Sequence, residues 1–258
     1  SSQTIKKTNT NRNVLHLHSK STNIRIWATA ASVLIVAFIG IFWFTSQQPK
    51  LVAQSDSTIK NVTLADGSSV ILRPNSSIYE LPSSDSKRSY KLVGEAFFDV
   101  TKDENHPFSI KALTGTVTVL GTRFNVSTWG NATQVYLEEG KVQLQSVANN
   151  TLILEPGETA TIFDSEISEV SFSNGTQFKD WISNSIVLNS TPLAEVVKEL
   201  EHHFNIEITI TDIESSSELI TGTIPTNNLN QTLNDLGIIL GGTFREIGTN
   251  KFSFIPLN

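Results

Sequence analysis

The histidines are the residues in this chain best suited to metal binding or acid–base chemistry, and their spacing supports neither. His16 and His18 form an H-x-H pair, but no further ligand stands near them to complete a four-coordinate zinc site. His202 and His203 are consecutive on a predicted helix, so their side chains point about 100° apart and we expect them at solvated positions. His106 lies in the loop-like stretch KDENHPF, where a role in a turn suffices. The histidines therefore predict no metal site.

Two groups of carboxylates could supply a general acid and a general base. Asp99, Asp103 and Glu104 cluster around one predicted loop, and Glu138 and Glu139 precede a glycine. Solvated turns account for both groups, and nothing pairs them across a groove as glycoside hydrolysis requires. The sequence also lacks a G-x-S-x-G motif, a phosphate-binding glycine loop and a nucleotide-binding fingerprint. We therefore predict that the protein is not a conventional enzyme and uses no cofactor or metal.

The first element that positions the rest of the chain is an apolar run over residues 24–44. It carries one charge, Arg25, and it matches the roughly 20 helical residues that cross a bilayer core of about 30 Å. Trp27 lies near one end and three aromatic residues lie at the other, as expected for rings at the two headgroup layers. We predict a transmembrane helix here. A cleaved signal peptide has a shorter apolar core, and a buried soluble helix of this kind would need a large surrounding core.

Charge gives the predicted helix a direction. Every charged residue before residue 45 is basic, and all 25 Asp and Glu residues of the chain follow it. By the positive-inside rule, residues 1–23 form a cytoplasmic linker segment and residues 45–258 lie outside. The acidic outer part, in a chain of net charge −6, argues against nucleic acid as a partner. The absence of cysteine excludes disulfides and suits an oxidising compartment.

Beyond a juxtamembrane connector at 45–56, residues 57–177 have the pattern of one all-β domain, either a sandwich or a solenoid. Short runs of alternating apolar residues are separated by turn signals, and no helical stretch of useful length interrupts them. The alternating pairs are Val117 and Val119, Phe124 and Val126, Val135 and Leu137, and Val142 and Leu144.

Residues 178–258 change to a helical period and predict a small α+β domain. Thr191 is the expected N-cap of a first helix, with Pro192 at its first position, and Asn228 is the expected N-cap of a second helix that stops at Gly241 and Gly242. Strand candidates flank both helices, so the region reads as a duplicated β-α-β unit. The apolar set Leu193, Val197, Leu200 and Phe204 recurs 36 residues later as Leu229, Leu233, Leu236 and Leu240.

Three stretches of the β domain carry a family resemblance. They are LADGSSVILRPNSSIYEL at 64–81, KLVGEAFFDVTKDENHPFSI at 91–110 and VTVLGTRFNVSTW at 117–129, followed by YLEEGKVQL and LEPGETA. In order and spacing they resemble the FecR family of single-pass membrane sensors, which act as anti-sigma or sigma-regulating factors. The C-terminal unit, 178–258, resembles the short N-terminal (STN) domain of secretins and of TonB-dependent outer-membrane receptors.

The resemblance implies a place in the cell and a set of partners. FecR-type proteins lie in the inner membrane of Gram-negative bacteria, with the N-terminus cytoplasmic and the C-terminal region in the periplasm. They receive a signal from the signalling domain of a TonB-dependent outer-membrane receptor and pass it to an extracytoplasmic-function sigma factor. Such systems regulate uptake of an iron complex or a glycan, and the resemblance does not choose between them.

This chain departs from the family at its N-terminus. Family members usually carry a cytoplasmic helical domain that grips the sigma factor, and residues 1–23 are too short and too polar to form one. The chain also begins without methionine. We therefore expect the sigma-binding domain to lie upstream of residue 1, or the protein to signal in a different way.

The resemblance also implies one covalent step. Some members resemble proteins that cleave themselves within the V-L-G-T motif, which here places the bond between Gly121 and Thr122. The Thr122 hydroxyl would attack the Gly121 carbonyl carbon, and the amide bond between the two residues would break to leave an ester and a free Thr122 amine. Water would then hydrolyse the ester and release the Gly121 carboxylate. Glycine would permit a strained backbone there. The alternative is structural, with Gly121 at a bend and Thr122 packed in a strand.

Trp129 and Trp181 leave a second function open. In an envelope-anchored structural or carbohydrate-binding protein, these rings would serve as stacking platforms for sugars. Packing in a core is the commoner fate of tryptophan.

Overall fold

The computed structural model describes residues 35–43, 45, 47–82, 88–210 and 218–257. The chain divides into two compact units, 1–47 and 48–258. In the first, residues 35–43 are helical. None of the helices among the described residues is long and apolar enough to cross a membrane. The predicted linker 1–23 and most of the predicted span 24–44 lie outside the described residues.

The second unit begins with a β domain whose described residues form fifteen strands. Their bounds are β1 (Lys50–Gln54), β2 (Lys60–Thr63), β3 (Ser69–Leu72), β4 (Ser77–Glu80), β5 (Arg88–Val93), β6 (Glu95–Asp99), β7 (Phe108–Lys111), β8 (Gly115–Val119), β9 (Arg123–Ser127), β10 (Ala132–Glu139), β11 (Val142–Ser146), β12 (Thr151–Leu154), β13 (Glu158–Phe163), β14 (Glu166–Ile167) and β15 (Ser171–Phe172). The predicted connector 45–56 thus contains β1, which pairs antiparallel with β4.

The strands form two sheets that enclose one apolar core. The first sheet has the order β1-β4-β5-β7-β8-β11-β12, and the second has the order β14-β13-β10-β9-β6-β3-β2, with β15 beside β13. The predicted alternation is confirmed, because all four pairs of alternating apolar residues are buried in this core. Pleating sends successive side chains to opposite faces, so alternation buries one face of each sheet. Of the two predicted architectures, the fold is a two-sheet sandwich rather than a solenoid.

The second sheet is also covered on part of its outer face. Along β6 the first four residues, Glu95 to Phe98, are all buried, and on β9 the outward-facing Asn125 is 1% exposed. A strand that buries both faces must be covered from outside. The C-terminal domain and the segment that leads to it supply this cover.

The C-terminal domain follows two short 3₁₀ helices, Thr176–Phe178 and Asp180–Ser183. Its elements are β16 (Ser185–Pro192), α1 (Leu193–Phe204), β17 (Glu207–Thr209), β18 (Leu219–Pro225), α2 (Leu229–Ile239), β19 (Gly242–Gly248) and β20 (Lys251–Pro256). Strands β16 and β18 pair antiparallel, and the other three form a sheet in the order β17-β20-β19. Both helices pack on one further apolar core made from this domain's own residues.

The predicted helices are present, with differences at their ends. The Asn228 side chain caps α2 by accepting the Gln231 amide at 3.1 Å, as expected. Helix α1 begins one residue later than predicted, with Pro192 as N-cap, and the Thr191 hydroxyl accepts the Asn189 amide instead. The second unit contains a strand that the pattern did not reveal, β19, which forms a hairpin with β20.

Candidate functional site

A buried arginine lies where the C-terminal domain meets the second sheet. Arg73 directly follows β3, and its side chain is 3% exposed. One Nη donates to Glu95 of the sandwich at 2.7 Å, and the other donates to Glu199 of α1 at 2.6 Å. Burial by itself lowers the pKa of Arg73, but the two carboxylates outweigh it and hold that pKa above its ordinary value. The guanidinium therefore stays charged and ties the two domains together.

The sequence around Glu95 explains how this carboxylate is held. Gly94 has a φ of 97°, and a Cβ at this position would lie 2.8 Å from the Ser76 backbone, so only glycine fits. The Ser76 hydroxyl accepts the Glu95 amide at 2.9 Å, and Asn125 Nδ2 donates to Glu95 Oε1 at 2.8 Å. The G-E-A-F-F-D-V motif thus places a carboxylate on the outer face of the sheet.

Two further contacts join the domains. Asn75 Nδ2 donates to the carbonyl oxygens of His202 and His203, at 3.0 and 3.1 Å, from a left-handed backbone position that asparagine tolerates. The Trp129 ring stacks on the His202 ring with centroids 4.6 Å apart. We call this set the domain junction: Arg73, Asn75 and Trp129 of the sandwich with Glu199, His202 and His203 of α1.

The segment before β16 completes the junction. Trp181 is fully buried, its ring centroid lies 5.9 Å from the Arg73 guanidinium carbon, and its Nε1 donates to the Phe178 carbonyl at 3.1 Å. Asp180 accepts the Trp181 amide at 2.7 Å and the Val187 amide at 2.6 Å. Burial raises the pKa of Asp180 to about 6, against these hydrogen bonds, which lower it.

A cleft of about 870 Å³ opens beside the junction. Its walls come from strands β9, β10 and β13 of the sandwich, from the 3₁₀ segment, and from β16 and α1. Amide, hydroxyl and charged side chains line much of it, including Gln134, Asn174, Asn189 and Lys198. The region is thus a polar junction between two domains, suited to recognition and coupling.

The residues predicted for self-cleavage lie elsewhere, on the sandwich. Thr122 is 4% exposed, and its hydroxyl donates to the Lys141 carbonyl at 3.1 Å. Gly121 does not have the positive φ that would mark a strained backbone. A Cβ on Gly121 would lie 2.5 Å from Lys102 Cα, so glycine is needed here for close approach of a neighbouring loop. This geometry gives Gly121 a packing role and leaves the cleavage hypothesis as a prediction.

The prediction for two histidines was wrong. His203 is 2% exposed and its Nε2 lies 2.9 Å from the Thr226 carbonyl, which can only accept, so Nε2 carries the proton. His202 is half-buried against Trp129. Burial lowers the pKa of both, to about 4 for His203. Helical geometry alone separated the two rings correctly, but it could not show that another domain covers this helix.

The remaining histidines were predicted to lie in a turn or to form an incomplete metal site. His106 and Asp103 pair within one loop at 2.7 Å, which agrees with a turn role. No cluster of three or more potential metal ligands occurs among the described residues, and His16 and His18 lie outside them. Neither tryptophan is a free sugar platform, because Trp181 is buried and His202 covers a face of Trp129.

Comparison with known proteins gives matches on both domains. The model of the FecR protein family matches residues 51–143, and the model of the FecR C-terminal region matches residues 185–253. No curated protein matches the chain. Two crystal structures of a candidate anti-sigma factor from Parabacteroides distasonis ATCC 8503 share the fold. Each has a TM-score of 0.67 at 24% identity and is matched over its whole length, and they cover 81% and 82% of this chain. Since both family models match, in order, on the two domains described above, the chain belongs to the FecR family.

Proposed function

We propose that this protein is a signal transducer of the inner membrane that regulates an extracytoplasmic-function sigma factor. The observation that carries the proposal is the succession of a FecR domain and a FecR C-terminal domain on one chain. The shared fold with a candidate anti-sigma factor supports it. The N-terminus is cytoplasmic, residues 24–44 cross the membrane, and the sigma factor is bound by a cytoplasmic domain outside this chain.

The signal comes from the periplasmic signalling domain of a TonB-dependent outer-membrane receptor, and the C-terminal STN-like domain receives it. Comparison of the two repeated helices, α1 and α2, supports one surface as the binding surface for the receptor. Helix α1 uses His202 and His203 to dock on the sandwich, and their equivalents 36 residues later on α2 are Ile238 and Ile239. These two isoleucines are 71% and 50% exposed. Leu257 is also exposed, and its backbone amide donates to the Gly241 carbonyl, just after the end of α2. An exposed apolar patch of this kind marks an interaction surface.

A binding experiment tests the receiving surface. Residues 48–258 are titrated calorimetrically with the signalling domain of the receptor encoded beside this chain. We expect binding, and at least a roughly tenfold loss of affinity in an Ile238→Asp/Ile239→Asp variant, because a charge replaces apolar contact. Ile153→Asp on β12 is the matched control, since this isoleucine is 55% exposed on the sandwich. No binding at high micromolar concentration would remove the receptor from the proposal.

The sigma-factor arm needs a test in cells. Transcription from promoters of the neighbouring sigma factor is compared in strains with and without the full-length protein, and with the double aspartate variant. Regulation predicts that deletion changes transcription and that the variant loses its response to the receptor ligand. Unchanged transcription in the deletion strain would refute sigma regulation, whatever the binding experiment gives.

Self-cleavage at Gly121–Thr122 has a separate readout. If cleavage occurs, intact-mass measurement of the purified 48–258 unit should give two fragments, 48–121 and 122–258. Thr122→Ala should abolish both fragments. Thr116→Ala is a suitable control, because this threonine also follows a glycine, Gly115, and lies on β8, the strand that precedes Gly121 in the chain. A single full-length species at every time point would refute cleavage and leave the packing role of Gly121.

A further inference from the structure

The domain junction concentrates the buried polar atoms that lack partners. Six such side-chain atoms occur among the described residues, and five belong to junction residues or their direct neighbours. They are Arg73 Nε, Asn125 Oδ1, Trp129 Nε1, His203 Nδ1 and Thr226 Oγ1. A buried donor or acceptor without a partner costs the desolvation of that group. The docked arrangement of the two domains therefore buries polar atoms that no protein group satisfies, whereas the sandwich core is apolar.

The charges at the junction are distributed so that the domains can separate without leaving a buried charge unpaired. Arg73 keeps Glu95, which belongs to its own domain and is held by Asn125. Glu199, the partner on α1, is already 41% exposed and would pass into water. Breaking a buried ion pair is very costly when it leaves one charge buried and alone. Here each charge has an acceptable environment in both states.

Polar and ring contacts oppose separation of the two domains. Between the sandwich and α1 they include the Arg73–Glu199 pair, the two hydrogen bonds from Asn75 and the stack of Trp129 on His202. The Phe178 ring stacks on Tyr136 of the sandwich at 4.8 Å, which anchors the 3₁₀ segment to the sandwich. Asn184, directly before β16, has a left-handed backbone with a φ of 52° and marks the point where the chain leaves that segment. The hydrogen bond from the Val187 amide to Asp180 spans this point, so it also opposes a pivot there.

We propose that the domain junction is a latch, in which the Arg73–Glu199 pair holds the C-terminal domain against the sandwich and its release lets that domain pivot at Asn184 as a folded body. The sandwich keeps the Arg73–Glu95 pair in both positions. Opening gives water access to the unpartnered atoms and widens the adjoining cleft. The latch is a property of this chain alone and does not depend on sigma regulation.

The chain is well suited to a direct test. It has no cysteine, so a pair of spin labels at Ile153→Cys on β12 and Ile238→Cys on α2 reports the distance between the two domains without background. The 48–258 unit contains two tryptophans, Trp129 and Trp181, and both lie at the junction, so their emission is a second readout. Glu199→Gln weakens the latch while keeping the side-chain shape. Glu195→Gln, one turn earlier on α1, is the matched control.

We expect one dominant spin–spin distance in the parent protein and in Glu195→Gln, and a second, longer distance in Glu199→Gln with red-shifted tryptophan emission. The ratio of open to closed protein should rise by about tenfold, because a charge-assisted hydrogen bond is lost. Circular dichroism should stay unchanged, since both domains remain folded. Identical distance distributions in Glu199→Gln and Glu195→Gln would overturn the latch, as would loss of the C-terminal domain's secondary structure on release.

Discussion

The two β-α units of the C-terminal domain share one apolar pattern and use their outer faces differently. Each helix buries equivalent leucines, Leu200 on α1 and Leu236 on α2, and both are fully buried. Outside this shared core, α1 presents Glu199 and His202 to the sandwich, whereas α2 presents Ile238, at the position equivalent to His202, to solvent. Duplication thus preserved the fold of the unit and left its outer face free to specialise, one copy for docking and one for an external partner.

The largest expected effect comes from the docking side, which has a buried cation. Arg73→Met leaves Glu95 buried with only Asn125 beside it, so the free energy of unfolding should fall by about 3–5 kcal/mol. Arg123→Met is the control, because Arg123 is 44% exposed and pairs loosely with Asp99 and Glu138. An exposed pair of this kind contributes less than about 1 kcal/mol. Urea denaturation measures both, and equal losses would show that Arg73 does not organise the junction.

The second prediction tests whether the two units have equivalent cores. Leu200→Ala and Leu236→Ala should each lower the free energy of unfolding by about 2–5 kcal/mol, because each removes a fully buried side chain and leaves a cavity. The two losses should agree within about 1 kcal/mol if the units are built alike. A much larger loss at Leu200 would mean that docking on the sandwich, rather than the shared core, determines the stability of α1.

The third prediction uses pH, because only the docked unit buries a titratable group at this position. Burial lowers the pKa of His203 from its usual 6.5 to about 4, with Arg73 acting in the same direction. A lowered histidine pKa gives stability that is present above the unfolded-state pKa and is lost as the pH falls toward the folded-state value. Between about pH 7 and pH 4, the free energy of unfolding of the parent protein should fall by about 2 kcal/mol more than that of His203→Gln, as measured by urea denaturation at each pH.

His203→Gln keeps a donor for the Thr226 carbonyl, so the comparison isolates the titration. Asp180 works in the opposite direction over part of this range, since its pKa is raised to about 6 and its contribution to stability grows as the pH falls. Because Asp180 is present in both proteins, its effect cancels in the difference. Parallel curves of unfolding free energy against pH for the two proteins would show that folding does not change the pKa of His203.

The sequence predicted the parts of this fold that depend on local pattern. Alternating pairs such as Phe124 and Val126 marked strands, and the recurrence of Leu200 as Leu236 marked the duplicated helices, because period and spacing are properties of a segment. Strand β19 was missed since its residues 242–248 alternate weakly and begin at the second residue of the pair Gly241 and Gly242, which also signals the end of a helix. Residues 242–248 form a strand because they pair with β20, and the pattern of one segment does not reveal its pairing partner.

The junction could not be predicted because its partners are far apart in the chain. Arg73 meets Glu199 across 126 positions, and neither residue is unusual in its own segment. Glu95 stood in a recognised motif, but a motif does not reveal which face of the strand another domain covers. The prediction of solvated histidines failed for the same reason. A buried polar network is specified by tertiary packing, and only a pattern of paired substitutions in related sequences could have indicated it.

The smallest effect provides the sharpest comparison, since it concerns equivalent positions on the two helices. His202→Ala removes the ring that stacks on Trp129 and should lower the free energy of unfolding by about 1 kcal/mol. Ile238→Ala, at the corresponding place on α2, removes a side chain that is 71% exposed and should change it by less than about 0.5 kcal/mol. Thermal unfolding of both variants measures the difference. If Ile238→Ala were the more damaging of the two, the isoleucine would contribute to this chain's own packing, and α2 would not carry a surface kept free for a partner.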